Sequence, residues 1–326
     1  MEELVSVIIV NFNNNIFTIN CLESLKNQTY RNFEVLLVDN GSNYSLFLKL
    51  KEELNQFKHL LNINLIRNNK NLYFGAGNNK AIRLSNGKYI CLLNNDIIAE
   101  ADFIEKMVEF LKNNPNVGFI TPKIKFYEDK RFIWNAGAFI NFKSTQIVNN
   151  RGFLEYDPSN KKYNKIEQID FAPGTALFLR KKIINDIGLI DEIFMMYHED
   201  PDWNLRAQMK GYKSFYVPTT TVYHNVPLDV KKRGSLFTYY FFKRNSQILI
   251  WKYAKLRVIL IFYFLYFYMN IIDTFYYFIR RKKKIHLVQF NSIYHGFRIG
   301  IKRRTNRSCE KYLLNDYHYA QNLQKL

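Results

Sequence analysis

The densest group of reactive side chains in the 326 residues is Tyr197-His198-Glu199-Asp200-Pro201-Asp202-Trp203. Three carboxylates fall within four positions, and like charges so close cost free energy unless a proton or cation resolves them. One reading is a general base that takes a proton from a hydroxyl. The other is an acid-rich helix start, with Asp200 as cap and Pro201 in the first turn. Arg206 would then form an exposed ion pair with Asp202, four residues earlier. Asp96 closes Asn94-Asn95-Asp96 behind an apolar run. A carboxylate there suits a hard cation and phosphate oxygens, or a simple turn or cap. Asp39-Asn40-Gly41-Ser42 has the same two faces: a turn signal, or an acceptor carboxylate for a nucleoside. His224 stands alone, as most histidines do without being ligands. It gains a role only if folding carries it to Asp96.

A glycine-containing loop, Asn71-Leu72-Tyr73-Phe74-Gly75-Ala76-Gly77-Asn78-Asn79, leads into a helical stretch. Backbone N–H groups at such a place can approach phosphates. The third glycine of a dinucleotide fingerprint is absent, and so is the Gly-Lys-Ser/Thr of a P-loop.

Positioning these residues falls to short apolar runs that alternate with helical stretches. Residues 4–10, 33–38, 63–66 and 89–93 read as buried strands, the first two separated by a helix over 16–27. This pattern predicts an α/β fold with a mostly parallel sheet covered on both faces. Ligands of such sheets sit at the carboxyl ends of the strands. There the sequence places Asn11-Phe12, Asp39-Asn40, Arg67 and Asn94-Asn95-Asp96. Residues 118–169 are less regular and suggest antiparallel or loop structure. Residues 171–180, 215–217 and 221–223 read as further strands, and 201–210 as a helix stopped by Gly211.

The net charge of +19 is unevenly spread. Residues 230–326 carry 20 Lys and Arg against three acids, whereas residues 1–229 are nearly neutral. Two domains are expected, 1–229 and 230–326, with different jobs. Within the second, residues 258–279 are almost continuously apolar and aromatic, flanked by Lys252, Lys255 and Arg257 and by the basic run 280–284. Two positive flanks favour a helix or hairpin lying on an anionic membrane surface. A single span is the second alternative and an oligomer core the third, so a homo-oligomer stays open. A nucleic-acid partner is not expected, because the apolar run far exceeds what stacking platforms need. Cys21, Cys91 and Cys309 are too scattered for a disulfide framework, which suggests a reducing compartment. The amino terminus lacks the basic n-region of a signal peptide.

In order along the chain, VSVIIVNFNN, FEVLLVDNGS, NLYFGAGNN, YICLLNND, APGTALFLRKKIINDIGLIDE, MMYHEDPDWNLRAQMKGY and VYHNV resemble family 2 glycosyltransferases of GT-A fold. The nearest branch is the rhamnosyltransferase-like proteins of cell-surface polysaccharide assembly. The resemblance covers roughly residues 5–226. It implies inverting transfer from a nucleoside-diphosphate sugar to a glycan or lipid-linked glycan acceptor, at the cytoplasmic face of the membrane. Asp39 would contact the nucleobase, and Asn11 and Phe12 would line the nucleoside pocket. Asn71, Gly75, Asn78 and Asn95 would complete the donor site. Asp96 matches the last Asp of the metal motif and would hold Mg2+ or Mn2+ on the diphosphate, with His224 completing that site. The motif here is Asn-Asn-Asp, so it carries a single carboxylate. Asp200 matches the catalytic base, supported by Glu199. Gly174 and Thr175 match the acceptor-side loop. Trp203 stands on that side where the family often has Leu, and reads as packing. An inactive sugar-nucleotide-binding relative is the alternative.

Overall fold

The structure is a computed structural model that describes residues 2–229, 235–279, 283–305, 316–317 and 319–323. The basic run at 280–282, and the junction at 230–234, lie outside the described residues, as does Cys309. Two compact units emerge. The first comprises Met1–Phe139, Asn150–Met195 and Glu199–Leu228; the second comprises Ile140–Asn149, Met196–His198 and Asp229–Leu326.

In the first unit the chain runs β1 (Val5–Asn11), α1 (Asn15–Lys26), β2 (Phe33–Asp39), α2 (Tyr44–Glu53), β3 (Ile63–Arg67), α3 (Tyr73–Leu84), β4 (Tyr89–Leu93), β5 (Ile97–Ala99), α4 (Phe103–Asn113) and β6 (Val117–Phe126). Four short strands follow, of which β8 and β9 have residues 140 and 148–149 in the second unit: β7 (Ile133–Asn135), β8 (Ala138–Ile140), β9 (Val148–Asn150) and β10 (Glu167–Ile169). Then come β11 (Ala176–Arg180), α5 (Ile184–Ile187), α6 (Glu199–Met209) and β12 (Lys213–His224). The main sheet has the order β10-β12-β6-β11-β4-β1-β2-β3, with β5 on β12 and β7 on β6. Its longest ladders, β1 with β2 and β12 with β6, are parallel. Antiparallel β11 joins the two parallel blocks through β4 and β6.

Strands β1 and β2 are buried nearly throughout, because helices cover both faces and alternate residues feed two cores. Val5, Val7, Ile9, Val35 and Leu37 enter one core, and Ile8, Leu36 and Val38 the other. Helix α4 buries Phe103, Ile104, Met107, Val108 and Leu111, the spacing of a single helical stripe. The strand expected over 171–180 begins only at Ala176. The two strands expected at 215–217 and 221–223 are one strand, β12, with a register irregularity between Tyr216 and Thr221. The stretch expected to be irregular opens with β6, a fully buried ten-residue strand. Lys123 and Lys125 had masked its pattern. Both are buried, with their ammonium groups on Asn160 Oδ1 at 3.1 and 3.5 Å.

The second unit is helical: α7 (Leu236–Tyr253), α8 (Leu256–Ile279) and α9 (Lys283–Arg304). Among the described residues, no helix is long and apolar enough to cross a membrane. On α8, Ile259, Phe262 and Tyr266 are buried with Ile147, Ile250 and Ala254. Leu260, Ile261, Phe264, Phe267 and Tyr268 on the same helix are exposed. Helix α9 meets α7 through Gly296 and Gly300. A Cβ on Gly296 would lie 2.4 Å from the Arg244 carbonyl oxygen, and one on Gly300 2.6 Å from the Trp251 ring. Gly296→Ala should therefore push the two backbones apart and cost about 1–3 kcal/mol. Thermal unfolding of the full chain should show a lowered midpoint, and an unchanged midpoint would remove this contact from the account of the packing.

Candidate active site

The carboxyl ends of β1, β2 and β4 form a floor built largely of asparagine amides. Asn11 is fully buried; its Oδ1 accepts from Thr18 Oγ1 at 3.0 Å and from Asn95 Nδ2 at 3.5 Å. Asn95 Nδ2 also reaches Thr18 Oγ1 at 3.0 Å and the Asn14 carbonyl at 3.3 Å. These amides are engaged inside the protein, so Asn11 and Asn95 brace the crevice. Phe12, by contrast, is exposed. Asp39 is fully buried beside them, with Asn11 Nδ2 3.5 Å from Oδ1 and no hydrogen-bond partner on Oδ2. Arg67 approaches Oδ2 to 3.8 Å while its guanidinium lies 3.9 Å over the Phe47 ring.

The glycine-containing loop is occupied differently from the phosphate cradle its composition suggests. The Phe74 and Gly75 N–H groups donate to the Met195 carbonyl at 3.1 and 3.4 Å. The Tyr73 N–H donates to Asn71 Oδ1, and the Leu72 N–H to Asn40 Oδ1. Asn78 Nδ2 turns back onto the Phe74 carbonyl at 2.9 Å. A helix start whose donors are already satisfied offers none to a phosphate. Gly75 and Gly77 serve close packing instead: their Cβ atoms would lie 3.2 Å from Ile190 and from Asn40. Asn40, placed at a strand end by the sequence, ties the loop down, with Nδ2 on Asn71 Oδ1 and on the Tyr73 carbonyl.

Folding does carry His224 to Asp96. Strand β5 pairs antiparallel with the end of β12, Ile97 opposite His224, and Asp96 immediately precedes it. His224 Nε2 lies 3.1 Å from Asp96 Oδ1. Asp96 Oδ1 and His224 Nδ1 are buried and lack hydrogen-bond partners. Such atoms are costly to bury unsatisfied, and one carboxylate with one imidazole fits a divalent cation whose other ligands come from a bound molecule. Among the described residues, no group of three or more His, Cys, Asp or Glu converges on such a site. Trp134 packs edge-on against the His224 ring at 4.6 Å, a neighbour with no signal in the sequence.

The acidic cluster divides into three fates. Asp202 is fully buried and paired with Arg206 at 2.9 Å; Arg206 also donates to the Leu189 carbonyl. The pair expected on the surface thus has a fully buried carboxylate. Asp200 lies within the first turn of α6, not at its cap, and accepts the Gly174 N–H at 3.0 Å on Oδ2. Burial pushes its pKa up to about 6, against the pull of the Gly174 and Asp200 backbone N–H groups. Glu199 is buried, with no partner on Oε2, and desolvation and then the Asp200 charge raise its pKa well above the carboxylate range. Asn204, one turn beyond Asp200, holds residues 171–175 in place: Oδ1 accepts from the Ala172 N–H, and Nδ2 donates to the Asp200 carbonyl. Its i+4 spacing from Asp200 was the readable clue. Thr175 is buried, its carbonyl taken by the Asn94 N–H. Trp203 is buried against Phe119, with Nε1 on the Gly188 carbonyl at 2.9 Å, so it presents no face to an acceptor.

Comparison with known proteins follows from this geometry. An uncharacterised glycosyltransferase of Methanocaldococcus jannaschii is 26% identical over 261 residues, 78% of this chain and 81% of that protein. The low-salt glycan biosynthesis hexosyltransferase Agl10 of Haloferax volcanii is 25% identical over 255 residues, 75% of each. A mannosyltransferase of Pyrobaculum calidifontis, solved in complex with GDP-Man and Mn2+, superposes with a TM-score of 0.54 at 16% identity. The match covers 76% of this chain and 63% of that one, and it is a likeness of fold, the GT-A type. Residues 6–188, more than half of the chain, match the model of glycosyl transferase family 2. The chain belongs to that family and is a glycosyltransferase.

Proposed function

We propose that the protein transfers a hexose from a nucleoside-diphosphate sugar to a hydroxyl of a glycan or lipid-linked glycan, with inversion, at the cytoplasmic face of a membrane. The observation that carries the donor half of this reading is the meeting of Asp96 and His224 at 3.1 Å, both with unsatisfied buried atoms. Asp96 and His224 would hold Mg2+ or Mn2+, which when bound neutralises the diphosphate leaving group as a Lewis acid. Support comes from the mannosyltransferase with GDP-Man and Mn2+ and from a relative named a hexosyltransferase. Asp39 Oδ2, buried without a hydrogen-bond partner, is suited to accept a nucleobase N–H. Phe12 offers an exposed ring beside it.

Asp200 would act as the base. Its carboxylate is ionised near neutral pH yet basic enough to draw a proton from an attacking hydroxyl. Gly174 aims Oδ2, and a Cβ there would meet the Phe74 ring at 2.7 Å, so the acceptor-side loop depends on glycine. Burial and the Asp200 charge push Glu199 toward its neutral form, which suits it to support Asp200. The exposed apolar face of α8, with Lys255 and Arg257 at its start, suits an anionic bilayer surface where a lipid-linked acceptor resides.

Four measurements test this. Release of nucleoside diphosphate from a mixed pool of UDP-, GDP- and dTDP-sugars should rise with pH through about 6, as Asp200 loses its proton. Asp200→Asn should lower that rate about 100-fold or more and leave nucleotide binding intact. Because a raised carboxylate pKa penalises the fold only above the unfolded value, the same variant should gain about 1–2 kcal/mol at pH 8 and nothing below pH about 4. A fully active variant would reject Asp200 as base. Asp96→Ala should abolish the Mn2+-dependent part of the thermal shift produced by UDP or GDP, as should EDTA on the native protein. Persistence of that shift in the variant would sink the metal assignment. Phe264→Glu with Phe267→Glu should halve, or more, flotation with vesicles rich in phosphatidylserine; unchanged flotation would remove α8 as the contact.

A further inference from the structure

Helix α7 carries an unusual stretch: Arg244, Asn245, Ser246 and Gln247 are consecutive, polar and all buried in the middle of the helix. Buried polar groups persist only when partnered, and each of these has a specific partner within the second unit. Asn245 Nδ2 donates to the Met196 carbonyl at 2.8 Å and to the Tyr197 carbonyl at 2.7 Å. Arg244 Nη1 donates to Asn245 Oδ1 at 2.5 Å, which fixes the amide so that its N–H groups face those carbonyls. Arg244 is itself held by Asp316, Nε to Oδ2 at 2.7 Å, and Asp316 also meets His295 Nδ1 at 3.1 Å. Ser246 Oγ lies 3.3 Å from His198 Nε2.

The segment thus gripped is Met196–His198, and its backbone is strained. Tyr197 and His198 have φ of 66° and 70°, and Met195 just before them has φ of 60°. Residues with side chains adopt this left-handed region only when their surroundings impose it. Phe242 adds to the grip, stacking on Tyr197 with ring centres 4.5 Å apart and meeting His198 edge-on. The chain then passes directly into Glu199 and Asp200.

We propose that Asn245 is a positioning residue for the catalytic carboxylates: it holds the strained Met196–His198 backbone that sets how the chain enters Glu199 and Asp200. Arg244 and Asp316 orient Asn245, and Phe242 backs the same turn. This rests on the reading of Asp200 as base.

The test uses the full-length chain and three variants, N245A, N245D and F242L. N245D keeps the shape of the side chain but replaces the amide donors with acceptors. Phe242 is exposed, so F242L is not expected to impair folding. The maximal rate of nucleoside diphosphate release from the mixed sugar-nucleotide pool should fall about 10-fold or more in N245A and N245D, and about 3-fold in F242L. Affinity for UDP and GDP should stay within twofold of the native protein in all three, because the donor crevice is built from β1, β2 and β4. Native rates in folded N245D and F242L would overturn the proposal. So would rate and nucleotide affinity falling in parallel, which is the signature of a structural role alone. Asp200→Asn, assayed alongside, separates the two claims. If it is active, the base assignment has failed; if it is inactive while the Asn245 variants are normal, only the positioning role has failed.

Discussion

The antiparallel pairing of β5 with the last turn of β12 is the contact on which the site depends. Three residues, Ile97–Ala99, pair with Val222, Tyr223 and His224. The ladder brings together two points of the chain more than a hundred residues apart. Its reach is set by β12 itself, which must run past the irregularity after Tyr216 and stay beside β6 for its whole length. Side chains lock the far end: Tyr223 Oη donates to Glu100 at 2.7 Å and Thr220 Oγ1 to Asp102 at 2.6 Å. With that register fixed, Asp96 and His224 have no freedom to miss each other. A slip of one residue would turn His224 to the opposite face of the sheet.

At the head of α6 the competing forces are desolvation and the helix dipole. The dipole and the backbone N–H groups favour ionised acids there, yet both Glu199 and Asp200 are shifted upward, because burial outweighs those terms. Asp202 instead meets Arg206 at 2.9 Å. Three neighbouring acids therefore end in three environments: buried beside a second carboxylate, held by the Gly174 N–H, and ion-paired. What separates them is the direction each side chain takes from one helical turn.

Periodicity made the parallel block legible. Strands β1 to β4 fall within a residue or so of their expected bounds, because continuous apolar runs between turn residues leave little choice. The clustering of Asp39 with Asn11 followed from parallel register alone. Less visible was anything decided by long-range pairing. Strand β6 hid behind its two buried lysines, and the union of two short strands into β12 depended on a neighbour far along the chain. The glycines of residues 71–79 are ambiguous for a related reason. Composition shows that a backbone can come close, but not to what, and here the partners are Asn40 and Ile190. The burial of the polar run 244–247 was not legible either, since it cannot be read without the partners that satisfy these residues.

The ion pair between Arg244 and Asp316 has a consequence in time as well as in space. Domains generally fold as units during synthesis, amino-terminal first, so the sheet can form while the last residues are still being made. Arg244 is fully buried in the finished protein, and its ion pair with Asp316 cannot form until Asp316 has left the ribosome. The second unit therefore closes late. Under the assignment of Asn245 above, the backbone leading into Asp200 takes its final shape only then. Donor binding would precede transfer competence during biogenesis, and a stalled or shortened chain would hold a sugar nucleotide without spending it.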